Sequence, residues 1–321
     1  MSESASRIRE DSSSLAVPEL SGALQGLKVA EQSNLAAYNQ AIDSGQQTGF
    51  GYYFPHLLGQ NRPGLSAALL IEDAGSICAF RWKLSNGAPR LDLIVAPTPM
   101  NNAVMLRCLE RTNDFNGDIS ARILKIDDKD VEQVLRSKVL QVVKRKIQYL
   151  YSPATYLDLS GGRLRGIRRY VTKFEQLENL NIQNYSPRYK NDCLELLQRW
   201  RRYHRTAHGT QGGVGTTKRL LDLADSLTAP ALEGEVVLID GVVSAFSFGG
   251  QLRPGVGIFS EAKCDSSIAG LSIFQRYHFM VKRQNWTLIN DGPDVGRASL
   301  AQFKNRLRPA SLHQEYSARQ D

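Results

Sequence analysis

Val236-Val-Leu-Ile239, Asp240-Gly241 and Val243-Ser-Ala-Phe-Ser-Phe248 form the stretch on which the reading of the fold turns. Two apolar runs of strand length meet at Asp-Gly, a pair that tolerates the positive φ angles of a two-residue type I′ turn. The stretch therefore reads as a β-hairpin. Working outward, residues 257–262 read as a third strand, 267–282 as a helix and 286–290 as a fourth strand. Upstream, helices are expected over 162–177, 187–203 and 217–227, the last two separated by a Gly-rich segment containing Gly209, Gly212, Gly213 and Gly215. The first half of the chain follows a similar order. Strands at 67–71, 77–83 and 90–96 are joined at Asp73-Ala-Gly75 and Ser85-Asn-Gly87, and a helix at 102–112 and a strand at 119–125 follow. Asp127 to Asp130 suit the positive end of a further helix, and 147–151 reads as a strand. Ahead of these, Leu and Ala at helical spacing predict a helix over 20–41. A meander of antiparallel strands leading to a helix and another strand, twice over, is an α+β pattern: mixed, mostly antiparallel sheets flanked by helices. The expected units are a Ser-rich leader over 1–18, one domain over 19–155 and a second over 156–321.

Charge is divided unevenly between these halves. The chain of 321 residues carries 40 Lys+Arg against 32 Asp+Glu, a net charge of +8. Residues 1–155 hold 17 basic and 16 acidic side chains, whereas 156–321 hold 23 and 16, so nearly all the excess lies in the second half. There Arg163, Arg165, Arg168, Arg169 and Lys173 form one cluster, and Arg199, Arg201, Arg202 and Arg205 another, both in segments read as helical. A solvated helix face accounts for either cluster alone. The two together, dominated by Arg rather than Lys, point towards bidentate contacts with phosphate. Four cysteines without close spacing signal neither a disulfide framework nor a zinc site. No run of apolar residues approaches membrane-spanning length and no export signal is visible, so a cytoplasmic protein is expected.

Several chemistries find no motif. A Gly-x-x-x-x-Gly-Lys-Ser/Thr phosphate loop, a Gly-x-Ser-x-Gly elbow and a His-Glu-x-x-His helix are all missing, which counts against an NTPase, an α/β-hydrolase and a zincin. His204 and His208 stand four residues apart, but Arg201, Arg202 and Arg205 flank them and would repel a cation; no metal is expected. Tyr52, Tyr53, Phe54, Trp82 and Trp200 are read as core aromatics rather than a pocket lining.

The C-terminal stretch is more specific. Asn290-Asp-Gly-Pro-Asp294-Val-Gly296 is followed by Ser299-Leu300, Lys304 and Pro309, with Tyr316 near the end. Leu159-Ser-Gly161 leads through Arg168 to Lys173-Phe174, and Glu261-Ala-Lys-Cys-Asp265 precedes Gly270. Together with the hairpin over 237–248, these blocks resemble the C-terminal domain family of phosphatidylglycerol lysyltransferases over about residues 145–317. Ser299 stands where that family has Gly, Ala301 where Arg is usual, Arg169 where Asn is usual, and Ala262-Lys263 inverts a Lys-Ala pair. The resemblance implies a tandem GNAT-like fold that moves an aminoacyl group from aminoacyl-tRNA to an acceptor. The lipid-modifying relatives carry a membrane domain with no counterpart in this sequence. The expectation is therefore a freestanding protein that aminoacylates a small molecule in natural-product biosynthesis, as the valanimycin seryltransferase does.

That chemistry needs no ATP site, because the ester of an aminoacyl-tRNA is already activated; aminoacyl-tRNA acts as co-substrate and no cofactor is expected. It does need a positioned acceptor, a proton acceptor and a stabilised oxyanion. Lys304 is the candidate cation for the oxyanion or the terminal ribose phosphate. Asp294 is the candidate to hold the 3′-adenosine hydroxyls, the aminoacyl amine or Lys304 itself, and Glu261 the candidate base or ammonium clamp. Each has a plainer reading, as a surface cation, a turn or cap residue and an edge ion pair. The three gain weight only by meeting in one cleft. Arg163, Arg165, Arg168, Arg169, Lys173, Arg201, Arg202 and Arg205 would then contact tRNA, while Asn290, Gly212 and Gly213 would serve the acceptor side, the glycines in a closing loop. Three alternatives stay open: a lipid acceptor, a non-catalytic RNA-binding protein, and an acyl-CoA-dependent N-acyltransferase. The last lacks its usual pyrophosphate loop at Asp265-Ser-Ser-Ile-Ala-Gly270. Oligomeric state is open.

Overall fold

The computed structural model describes residues 22–208, 213–227 and 229–320. The leader expected over 1–18, together with Gly209 and Gly212, lies outside the described residues. The first half runs β1 (Lys28–Val29), α1 (Leu35–Ser44), α2 (Phe54–Leu58), β2 (Ser66–Asp73), β3 (Ser76–Ser85), β4 (Ala88–Leu93), α3 (Asn102–Asn116), β5 (Arg122–Ile126), α4 (Val131–Arg136) and β6 (Gln141–Tyr151). The second runs α5 (Ala154–Leu157), α6 (Arg165–Glu175), β7 (Leu180–Asn184), α7 (Lys190–His208), α8 (Val214–Leu223), β8 (Glu233–Ile239), β9 (Val242–Arg253), β10 (Val256–Cys264), α9 (Leu271–Lys282), β11 (Leu288–Pro293), α10 (Ala298–Arg306) and β12 (Ser311–Arg319).

The hairpin forms where the sequence placed it. Asp240 and Gly241 adopt φ angles of 52° and 76°, and β8 pairs antiparallel with β9. Asn86-Gly87 and Ala74-Gly75 likewise take positive φ and turn β3 into β4 and β2 into β3. The helix expected over 20–41 is not continuous. Lys28–Val29 instead pairs with Leu69–Leu70 as an edge strand, and regular helix begins only at Leu35. Gly22 and Gly26, both at positive φ, break the helical path that the Leu/Ala spacing promised.

All strands join one twelve-stranded sheet in the order β1-β2-β3-β4-β5-β12-β6-β11-β10-β9-β8-β7. The expected boundary near residue 155 falls inside an interlock: β6 pairs with β11 of the second half, and β12 crosses back to lie between β5 and β6. Two neighbouring pairs are parallel, β4 with β5 and β10 with β11, one in each half. Both are brief. β10 and β11 share register only from Val256 to Ile258 and then part.

Two layers cover the second half of the sheet. Phe174 of α6 and Leu271 and Phe274 of α9 pack on Val237 and Ala245 from one face. Tyr38 and Ile42 of α1, Phe54 and Leu57 of α2 and Leu196 of α7 pack on Val236, Phe246, Phe248 and Ile258 from the other. The first half thus supplies part of the lid on the second half's core. Tyr52, Tyr53, Phe54 and Trp82 are buried as the sequence reading expected.

Candidate active site

β10 parts from β11 beyond Ile258 and Asn290, so past that point neither strand satisfies the other's backbone. A bulge in β10 widens the gap. Phe259 pairs with Gly249 and Glu261 with Phe248, leaving Ser260 as the extra residue. On the α9 face, the freed carbonyl oxygens of Asp291 and Gly292 accept from Nζ of Lys304, the latter at 3.1 Å. The same ammonium lies 3.3 Å from Oδ1 of Asp291, whose other oxygen accepts from Nε of Arg276 at 2.9 Å. Arg276 is in turn flanked by the rings of Phe259 and Phe303. Lys304 is 3 % exposed, and its three N–H groups have three acceptors. Burial lowers its pKa, with Arg276 acting in the same direction and Asp291 opposing.

Asp294 lies beside this cluster rather than in it. Oδ2 accepts from the Tyr149 hydroxyl at 2.8 Å and Oδ1 from the Gly296 amide at 2.8 Å, closing a turn in which Val295 and Gly296 take positive φ. Burial and the Asp294 hydrogen bond push the Tyr149 hydroxyl up to about 12, so it stays a donor. Lys304 sits 5.6 Å from the centroid of the same ring. The cap of α10 is Arg297, so the turn reading of Asp294 is the one realised and the cap reading is not.

Glu261 faces the other way. Ala262 packs with Phe259 and Phe279 on the α9 face, so alternation directs Glu261 and Lys263 to the α7 face. There Lys263 donates to Glu261 and lies 4.7 Å over the Trp200 ring. The three residues read as one constellation therefore do not meet: Lys304 and Asp294 flank Tyr149, and Glu261 is across the sheet. A bulge inverts the side on which a residue points, and a linear sequence does not display it.

Asn290 is fully buried and joins the halves, its amide donating to the Thr48 carbonyl at 2.8 Å and to Gln148 at 2.7 Å. It fixes β11 against the first half. Gly213, at φ 89°, opens α8 and accepts from Thr217, which makes it a helix-start residue.

On this first-half face the gap holds a pair that sequence reading missed. The Ser260 hydroxyl lies 2.7 Å from Nε2 of His56 on α2, and Nδ1 of that ring lies 3.1 Å from the Phe50 carbonyl oxygen. Gly292 closes the opposite wall at φ 65°, where a side chain would press on the Phe50 ring. Asp127, Asp128 and His313 form a further polar group within 4.8 Å of one another, but Oδ2 of Asp127 already accepts from the Thr48 and Gly49 amides.

The basic clusters separate as well. Arg163, Arg165, Arg168, Arg169 and Lys173 are exposed along α6 and the turn before it, with Ile167, Val171 and Phe174 buried beneath. Arg306 and Arg308, exposed at the end of α10, extend this patch, and Arg308 donates to the Arg163 carbonyl at 3.3 Å. Arg168 is partly committed to the Leu159 and Gly161 carbonyls. Arg201, Arg202 and Arg205 lie on α7, on the opposite face of the sheet. At the start of α9, Tyr170 fills the space that a side chain on Gly270 would need, and Lys173 donates to the Ala269 carbonyl at 3.3 Å.

No family model and no curated protein matches this sequence. Solved structures do resemble it. A conserved protein of unknown function from Bacteroides thetaiotaomicron superposes with a TM-score of 0.75 at 17 % identity, over 92 % of this chain and 99 % of its own. The C-terminal domain assigned to a lysylphosphatidylglycerol synthetase from Agrobacterium fabrum gives 0.62 at 14 % identity over 90 % and 93 %. FemX gives 0.63 at 9 % identity over 89 % and 96 %. The fold is α+β, a mixed and mostly antiparallel sheet flanked by helices, as the sequence led one to expect. Among the described residues no helix is long and apolar enough to cross a membrane.

Proposed function

We propose that this chain is an aminoacyltransferase that takes an aminoacyl group from charged tRNA and passes it to a small-molecule hydroxyl, hydroxylamine or amine. The observation that carries the reading is the exposed guanidinium surface of α6, extended by Arg306 and Arg308 and packed against the α9–α10 layer that borders the opened strand pair. A polyanion bound there would lie on the α9 face of the sheet, on the Lys304 side of the opened strand pair, and an ester donor needs no nucleotide site. Likeness of fold to a lysylphosphatidylglycerol synthetase domain and to FemX supports the same class. Transfer from acyl-CoA is disfavoured because Tyr170 and Lys173 close over the turn that opens α9, where a pyrophosphate would seat on helix amides.

The test is to incubate the protein with total tRNA charged with radiolabelled amino acids, using hydroxylamine as acceptor probe. The reading expects one aminoacyl ester to be consumed preferentially and the hydroxamate of that amino acid to appear. Uniform loss of every ester at the uncatalysed rate, or preferential consumption of an acyl-CoA, would end it.

A further inference from the structure

Ser260 and His56 come from opposite halves, 204 residues apart, and meet at the mouth of the opened strand pair. Phe50 contributes a carbonyl, which can only accept, so Nδ1 of His56 carries the ring proton and Nε2 presents its lone pair to the Ser260 hydroxyl. Burial, aided by the positive charge of Lys125 and opposed by the Phe50 hydrogen bond, brings the imidazole pKa down to about 3; the resting ring is therefore neutral with its Nε2 lone pair free, and the proton it takes from Ser260 is held only in passing. A hydroxyl on a base whose far nitrogen is oriented by a third group is the arrangement that activates a nucleophile. The bulge aims that hydroxyl. Without the extra residue, β10 would keep its pairing with β9 and turn position 260 elsewhere. Glu261, next along the strand, is held by Lys263 and does not compete for the imidazole.

We propose that Ser260 is an acyl-accepting nucleophile activated by His56, so that transfer proceeds through an acyl-serine. The proposal rests on the acyl-transfer reading above. In the first step Oγ attacks the ester carbonyl carbon while its proton passes to Nε2. The bond from that carbon to the donor's ribose oxygen breaks, and the oxygen leaves with the proton from His56. In the second step the acceptor gives its proton to Nε2 and attacks the acyl-serine, and Oγ departs and recovers the proton. One acyl group moves, no electrons are gained or lost, and no co-reactant beyond donor and acceptor is needed.

Two measurements test it. The first treats the wild-type protein with a fluorophosphonate and locates the label by peptide mass spectrometry. The second mixes the protein with charged total tRNA, quenches in acid and reads the intact mass for an aminoacyl adduct. The expected results are a label and an adduct on Ser260, both absent in Ser260→Ala, with labelling slowed at least ~100-fold in His56→Gln. The wild-type labelling does not depend on any variant folding. Transfer from charged tRNA without an adduct, and at an unchanged rate in Ser260→Ala, would overturn the nucleophile while leaving the tRNA donor intact. A His56-dependent label on Ser260 with no consumption of charged tRNA would support the pair and reject the donor. Absence of both label and adduct overturns the proposal.

Discussion

Replacing Lys304 by Met separates a structural cation from a catalytic one. Its ammonium holds the carbonyls of Asp291 and Gly292 and one oxygen of the Asp291 carboxylate, at 3 % exposure. Methionine keeps most of the packing volume, so the cost is electrostatic. An orphaned buried acceptor costs ~1–3 kcal/mol, and breaking one side of a buried ion pair ~3–5 kcal/mol. Arg276 still compensates Asp291, which keeps the penalties from adding in full. The expected loss is about 3–5 kcal/mol of unfolding free energy. Guanidinium unfolding followed by tryptophan fluorescence reads it, since Trp286 lies in the core cluster that Leu307 shares. Gln302→Met, on the exposed side of the same helix, is the control and should stay within ~0.5 kcal/mol. If Lys304→Met unfolded with the control while losing activity, the account of Lys304 as the cap of the opened strand would be wrong.

Other expectations concern acid, salt and backbone. Burial raises the pKa of Glu235, but the His278 hydrogen bond, Arg283 and Lys282 outweigh it and bring the value down to about 2. A carboxylate with a depressed pKa stabilises above its unfolded value of about 4.5 and loses that contribution as pH falls towards 2. Glu235→Gln should therefore remove about 3 kcal/mol at pH 6 and progressively less at pH 3, measured by denaturant titration at each pH. If tRNA lies on α6, affinity should drop about 10²–10³-fold between 50 and 200 mM salt, with Arg165→Glu and Arg169→Glu each flattening the slope by ~1. Filter binding decides this, and an unchanged slope in both variants would move the RNA elsewhere. Gly292→Ala forces a side chain onto Phe50 at a positive φ, so melting should fall by several degrees; an unaltered melting curve would contradict the wall assigned to that residue. Asn290→Ala strands the Thr48 carbonyl and should cost ~1–3 kcal/mol, most of it at the contact between halves.

Local chemistry made the hairpins legible. Asp240-Gly241 and Asn86-Gly87 state their turn type outright, and the apolar runs beside them state strand length. β12 escaped notice because Ser311 to Arg319 carries no run of apolar residues; its partners are two other strands rather than a core face alone. The basic face of α6 was visible because its buried positions fall at helical spacing among the arginines. Which faces of the sheet the candidates share was not visible. Glu261 and Lys304 belong to opposite faces through a one-residue bulge at Ser260, and the partner of Ser260 lies in the other half of the chain. Residue type announces a possible chemistry, whereas convergence depends on register and long-range packing.

The position of β12 has a bearing on biosynthesis. During translation, β5 and β6 would wait with open edges until residues 311–319 leave the ribosome, because the strand that joins them is made well after both. Exposed edges of this kind invite pairing with other chains. Production of the protein should therefore be sensitive to chaperone supply and to translation speed up to and over residues 311–319, and a nascent chain arrested before residue 311 should be captured by holdases as two unjoined sheets.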